Sequence, residues 1–172
     1  RKEKNMKKII ALVGSLLLAA GIAFAADPAT GYWVSYDEKT NEATAAWNIY
    51  EEGGILYGKM IAVKGQDQAG KATGGAGKKY AEFAGGADIG TVTMVGARWI
   101  YGLQKDAEGK WSKGSIIDPG SGSKYKCKIT FHAKDGKKYA VDTLEMRGEI
   151  GAGIGRSQYW KRSTEAEASA LR

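Results

Sequence analysis

The sequence predicts an all-β fold, a single small antiparallel up-and-down barrel of about eight strands, and three observations carry that expectation. Segments in which apolar and polar residues alternate recur along the chain, the period-2 mark of strands with one buried face. Glycine-rich and Asp-Gly turn signals separate those segments at short spacing. Consecutive antiparallel strands joined by short turns protect their edges by closing, and about eight strands leave an interior that holds side chains or one small ligand. An open sandwich is the alternative arrangement.

Before the first strand, residues 1 to 25 read as a cleavable export signal. Lys7-Lys8 form a basic start, Ile9 to Ala20 an apolar stretch, and Ala23-Phe24-Ala25 a small-x-small cleavage site. Met6 is the natural initiator, although an extended basic start serves equally well. The apolar run falls short of the roughly 18 residues a membrane span needs, and no Cys follows it for lipid attachment. A chain cleaved there is expected in the periplasm or outside the cell, without a membrane-spanning segment.

Residues 26 to 162 then form the barrel domain. Its strands are expected at Tyr32 to Tyr36, Thr44 to Glu51, Ile55 to Val63, Val92 to Leu103, Trp111 to Asp118, Lys124 to Ala133, Thr143 to Ile150 and Ile154 to Arg162. The sixth has the clearest pattern: Tyr125, Cys127, Ile129, Phe131 and Ala133 point one way, and Lys124, Lys126, Lys128, Thr130 and His132 the other. In the seventh, Leu144, Met146, Gly148 and Ile150 face inward, so Glu145 and Glu149 are free to meet the outward lysines of its neighbour. Glu52-Gly53-Gly54, Asp106 to Gly109, Asp118 to Gly122 and Lys134 to Lys137 supply the turn chemistry. Residues 64 to 90 are a Gly/Ala/Lys/Gln insertion too long for an ordinary connection. They read either as a lid carrying Tyr80 and Phe83 over the barrel mouth or as an insertion with a short helix near Lys78 to Phe83. Residues 163 to 172 form a frayed or helical tail.

Composition narrows the function. Among 172 residues there are 26 Lys and Arg, 19 Asp and Glu, one His and one Cys, giving a formal charge of +7. Five of those cations, Arg1, Lys2, Lys4, Lys7 and Lys8, lie in the export segment with Glu3, so the remainder is only mildly basic. Lysines and aromatics of the sixth strand also point to opposite faces, whereas a nucleic-acid stacking platform needs both on one face. One Cys and one His cannot build a zinc site or a disulfide framework, so no metal or cofactor is expected.

Gly31-Tyr32-Trp33 opens the first strand and Trp160-Lys161-Arg162 closes the last. An indole face offers a guanidinium a cation–π partner, so Gly31, Trp33, Arg156, Trp160 and Arg162 are the candidates for sealing the barrel end, as in lipocalin-like barrels. The run from Trp111 to Tyr125, with its W-x-x-G-x-I-x-D-P-x-x-G-x-x-Y spacing, is more specific. With Met146 to Gly151, Gly155 to Arg162, the G-x-W and Gly58, it resembles the secreted bacterial family called domain of unknown function 2147. That resemblance covers nearly the whole chain after the export segment. It implies a lipocalin/calycin-like barrel for which no activity is established; the 64 to 90 insertion is a departure from the family pattern.

Catalytic chemistry finds little purchase. His132 falls on the outward, lysine-rich face, and Cys127 on the inward face, where apolar burial raises a thiol's pKa and leaves it inert. Asp118-Pro119 reads as turn chemistry, and Gly151 to Gly155 as a tight turn without the helix a phosphate cradle requires. The interior remains. Trp47, Met60, Trp99, Tyr101, Trp111, Tyr125, Phe131 and Met146 are the candidates to line it, as a packed core or as a pocket for a small apolar or amphipathic molecule. The expected function is that of an exported, non-enzymatic barrel binding such a ligand. The alternative is an envelope or secreted interaction module that uses the barrel as a rigid platform for a protein partner.

Overall fold

In the structure, a computed structural model that describes residues 25–172, eight antiparallel strands close into one up-and-down barrel with each strand hydrogen-bonded to its sequence neighbours. The strands are β1 Gly31–Tyr36, β2 Ala43–Glu52, β3 Ile55–Val63, β4 Arg98–Ala107, β5 Lys110–Ile117, β6 Lys124–His132, β7 Thr143–Gly151 and β8 Ile154–Ser163. β8 returns to β1 through the pairs Tyr32–Ser163, Trp33–Arg162 and Val34–Lys161, so no edge is left. The expected export segment lies outside the described residues apart from Ala25.

Seven of the strands begin and end within a residue or two of the sequence pattern; β4 starts at Arg98 rather than Val92. Val92 and Met94 belong instead to the insertion, where the Ala72 N–H donates to the Val92 carbonyl and the Trp99 indole donates to the Met94 carbonyl. The insertion therefore runs from 64 to 97, and short 3-10 turns at Thr73–Gly75, Ala84–Gly86 and Ile89–Thr91 replace the helix expected near Lys78 to Phe83. Gly77 and Gly85, at φ 86° and 66°, bracket that segment and leave too few residues between them for a stable helix. After β8, α1 (Glu165–Ser169) is capped by a reciprocal Thr164–Glu167 box.

Bulges decide which side chains enter the barrel. Leu56 pairs with Leu103 and Gly58 with Ile100, so β4 holds one residue more than β3 across that step. Gly102, at φ 69°, absorbs it. Ile100 and Leu103 consequently both face inward, and Trp99 and Tyr101 turn to the outer wall. A matching step in β5 sets Trp111 opposite Ile129 and Gly114 opposite Cys127, with Lys113 held at φ 61°. Gly58 is required by close approach: a Cβ there would stand 2.8 Å from the Ile100 Cδ1 and 2.9 Å from the Ile49 Cδ1.

One end of the barrel carries the β2–β3, β4–β5 and β6–β7 turns, and the other carries the β1–β2 loop, the insertion, the β5–β6 loop and the β7–β8 turn. Trp33, Leu56, Leu103, Trp111, Ile129 and Leu144 are fully buried and fill the first end. Burying each such side chain stabilises the fold by roughly 1.5–3 kcal/mol. At the second end, Ala152 in the β7–β8 turn adopts φ 44°, a left-handed conformation that costs a residue with a Cβ about 1–2 kcal/mol.

Candidate functional site

The two ends differ in how their polar groups are held. At the filled end, residues 27 to 30 fold beneath the barrel. The Asp27 carboxylate accepts from the Ala29 N–H (2.9 Å), the Gly109 N–H (3.1 Å) and the Trp111 indole (3.1 Å), and pairs with the Lys105 ammonium at 2.9 Å. Burial alone would raise the Asp27 pKa, but those hydrogen bonds outweigh it and hold the carboxyl below its ordinary value. The Arg162 guanidinium lies 4.0 Å from the Trp33 ring centroid and donates to the carbonyls of Thr30 (2.8 Å) and Pro28 (2.6 Å). Trp33 in turn donates its indole proton to the Ala29 carbonyl at 3.0 Å. Two cations, two indoles and a carboxylate thus close this end.

The opposite end is open. A cavity of about 620 Å³ descends from it into the barrel, within the size range of small-molecule sites. Its floor is the stacked pair Trp47 and Trp160, with ring centroids 4.9 Å apart and planes 17° from parallel. Met60, Val63, Met94, Ile116, Tyr125 and Met146 form most of its wall, and Gly148 leaves room where a side chain would project. Polar groups gather towards the rim: Ser35, Thr44, Gln66, Asp118, Arg156 and Gln158. The Ser35 hydroxyl accepts from the Trp47 indole at 3.1 Å, and Gln158 accepts from the Trp160 indole at 3.1 Å, so both floor tryptophans are oriented by a neighbouring polar side chain. The arrangement is an apolar well with a hydrogen-bonding mouth, suited to enclosing a hydrophobic body and contacting a polar end.

Of the candidate lining residues, Trp47, Met60, Tyr125 and Met146 border this cavity, and Trp99, Tyr101, Trp111 and Phe131 do not. Trp99 and Tyr101 are on the outer wall because of the β4 bulge, and they clasp Phe83 of the insertion with centroids 5.3 and 5.9 Å away. Burial and the nearby Glu82 carboxylate push the Tyr101 phenol up to about 12. Trp111 is taken up by Asp27. Phe131 packs edge-on against Trp33 at 6.2 Å, beneath Arg162, as part of the closed end. Among the closure candidates, Gly31, Trp33 and Arg162 meet there: a Cβ on Gly31 would stand 2.8 Å from Arg162 Nη1. Arg156 stands at the other end, paired with Glu38 at 2.8 Å on the cavity rim, because β8 runs from the open end to the closed one. Trp160 lies between the two, as cavity floor.

Sequence reasoning missed Ser35, Thr44 and Gln158. Two of these had a signal, since Ser35 and Gln158 are each two residues from an inward tryptophan on the same strand. It missed Asp27 entirely, whose partners Gly109 and Trp111 lie 82 and 84 residues away. Nor does the insertion cover the mouth with Tyr80 and Phe83. The Tyr80 hydroxyl donates to the Gly122 carbonyl at 2.9 Å, and Glu82 binds Lys124 and Ser115 on the outer wall. Gly75 and Gly122 pack backbone to backbone, so that a Cβ on Gly122 would reach within 2.6 Å of the Gly75 Cα. Gln66 and Met94 are what the insertion brings to the cavity.

Cys127 and His132 stand away from the cavity. Cys127 is buried, and desolvation pushes its thiol well above the ordinary range. His132 sits on the outer wall, stacked on Tyr139 and bonded to Glu145 at 2.9 Å, and Glu145 also accepts from Ser157 at 2.7 Å. The Glu145 carboxylate therefore lies between the Ser157 hydroxyl and the imidazole. No helix among the described residues is long and apolar enough to cross a membrane.

Comparison with known proteins agrees with this architecture. A family model described as an uncharacterized protein conserved in bacteria (DUF2147) matches residues 31–162. Among solved structures, protein HP1028 from the human pathogen Helicobacter pylori, described as belonging to the lipocalin family, superposes with a TM-score of 0.61. The two chains are 15% identical, over 83% of this chain and 87% of that one, so the likeness is one of fold. No curated protein matches the chain.

Proposed function

The chain belongs to the DUF2147 family of bacterial proteins, and we propose that it is an exported, non-enzymatic carrier that holds a small apolar or amphipathic molecule inside its barrel. The observation that carries this reading is the cavity of about 620 Å³, open at one end, with a tryptophan-paired floor, methionine-rich walls and a polar rim. Methionine suits such a role because its flexible, polarizable side chain adapts to varied apolar shapes. The lipocalin-like fold of the Helicobacter pylori protein supports it at the level of architecture. The reading of residues 1 to 25 as an export segment supports a carrier that works in the periplasm or outside the cell. Phe83, Ile89 and Tyr80 of the insertion are engaged with the barrel's own wall and loops, which favours the carrier reading over the interaction platform.

The test is native mass spectrometry of protein purified gently from the periplasm, beside Gly148→Leu. A Cβ at residue 148 meets Tyr125 no closer than 3.5 Å, so leucine enters the cavity without a backbone clash. A stoichiometric extra mass on the wild type that is missing from the folded variant is the expected result. An unaltered extra mass on Gly148→Leu would show that the ligand sits elsewhere, and failure of the wild type to take up any fluorescent apolar probe would end the carrier reading.

A further inference from the structure

Turns at the closed end follow the ordinary rule for water-exposed hairpins. Glu52 precedes Gly53-Gly54, Asp106 and Glu108 flank the β4–β5 turn, and Lys134, Asp135, Lys137 and Lys138 crowd the β6–β7 connection. The β7–β8 hairpin at the open end breaks it. From Ile150 to Gly155 the chain reads Ile-Gly-Ala-Gly-Ile-Gly, without one polar side chain, and Ile150 and Ile154 are 72% and 65% exposed. Ala152 even takes a left-handed turn position where Asn, Asp or Gly is the usual choice. Arg147 braces this tip from below, donating to the Gly153 carbonyl at 2.9 Å and to Glu149 at 2.9 Å, so the apolar end is held in shape rather than left loose.

Its surroundings point to an occupant. Both isoleucines border the mouth of the cavity. Ile150 also borders a groove on the outer wall lined by Lys113, Lys124 and Lys126 together with Glu82 and Glu149, the latter held by Lys128 and Arg147. Lys124 is engaged by Glu82, whereas Lys113 and Lys126 make no ion pair among the described residues. On the other flank the β1–β2 loop carries Asp37, Glu38 and Glu42 against Lys39, with Glu38 neutralising Arg156. Two exposed apolar side chains between a lysine-lined flank and a flank where carboxylates outnumber lysine are the composition of a contact with an anionic lipid surface, where isoleucines enter the acyl boundary and lysines meet headgroups.

We propose that the β7–β8 tip seats the open end of the barrel on an anionic bilayer, tilted towards β6 so that the acidic β1–β2 loop stays in water. The contact stands on its own residues; its use, passing an amphipathic molecule between bilayer and cavity, rests on the carrier reading. Residues 25–172, which contain every strand of the closed barrel, are to be co-sedimented with vesicles of phosphatidylcholine alone and of phosphatidylcholine mixed with phosphatidylglycerol. Mixed vesicles are expected to bind the protein more tightly, with an advantage that fades as salt is raised. The double variant Ile150→Ser, Ile154→Ser should lose about tenfold or more in partitioning to both vesicles, and Lys113→Gln with Lys126→Gln about tenfold to the mixed vesicles alone. These residues are exposed, so circular dichroism should show unaltered barrels. Equal binding by the isoleucine variant overturns the proposal, as does a wild type that ignores both vesicles. So does a wild-type dimer that the isoleucine variant splits, since a second copy would then cover the tip. Probe uptake, measured without vesicles, separates the two readings: uptake without vesicle binding defeats only the membrane contact, and vesicle binding without uptake defeats only the carrier.

Discussion

Trp33 and Trp47 stand opposite one another in the β1–β2 ladder, yet they lean to opposite ends of the barrel and do different work. Trp33 reaches down to the Ala29 carbonyl and lies under the Arg162 guanidinium, sealed from solvent. Trp47 reaches up to the Ser35 hydroxyl and lies flat against Trp160, with space above it. The closed end satisfies its polar groups within the protein, and each removal leaves a buried partner orphaned. The open end keeps apolar walls and rim polar groups facing a void. Stability is therefore concentrated at one end of the same small fold and open interior space at the other.

Substitutions that shrink the two ends should separate them most widely. Trp33→Ala is expected to cost about 3–5 kcal/mol, and Met146→Ala, beside space that already exists, about 2 kcal/mol; denaturant unfolding of both variants measures the gap. Equal losses would erase the distinction between the ends. Asp27→Ala comes next, at about 3 kcal/mol, since it strands the Trp111 indole and two backbone N–H groups in a buried setting.

Acid should act through the same carboxylate. Because the folded Asp27 pKa is lowered, the unfolded chain takes up its proton first. The stabilisation is complete above the unfolded value of about 4 and is lost as pH falls through the lower folded value. Thermal melts from neutral pH down to about 3 should decline less steeply for Asp27→Asn than for the wild type, and parallel curves would remove Asp27 from the account. The smallest stability effect is expected of Gly148→Leu, under about 1 kcal/mol, as the side chain enters empty space. A large loss there would mean that the cavity is more tightly filled than its walls suggest.

Much of the architecture was legible because strand periodicity and turn chemistry are local. Lys124 to His132 shows both faces of β6 in its residues alone, and Cys127 on the inner face is buried as that pattern requires. Legibility failed where one extra residue reversed the parity of a strand. Trp99 and Tyr101 have the same parity as Leu103, and only the bulge at Gly102 puts them outside while Leu103 remains within. No pattern around Gly102 distinguishes it from the glycines that serve as ordinary turns.

By itself, then, the sequence determined how many strands there are, which residues turn, and that an aromatic-rich interior results, since each depends on neighbours two to four positions away. Tertiary structure alone decided that Arg162 caps Trp33 while Arg156 belongs to the rim, that Asp27 locks the closed end, and that the insertion braces the wall. Those assignments depend on strand direction, register and closure, which are set by the free energy of packing the whole barrel. No short stretch of chain contains that information.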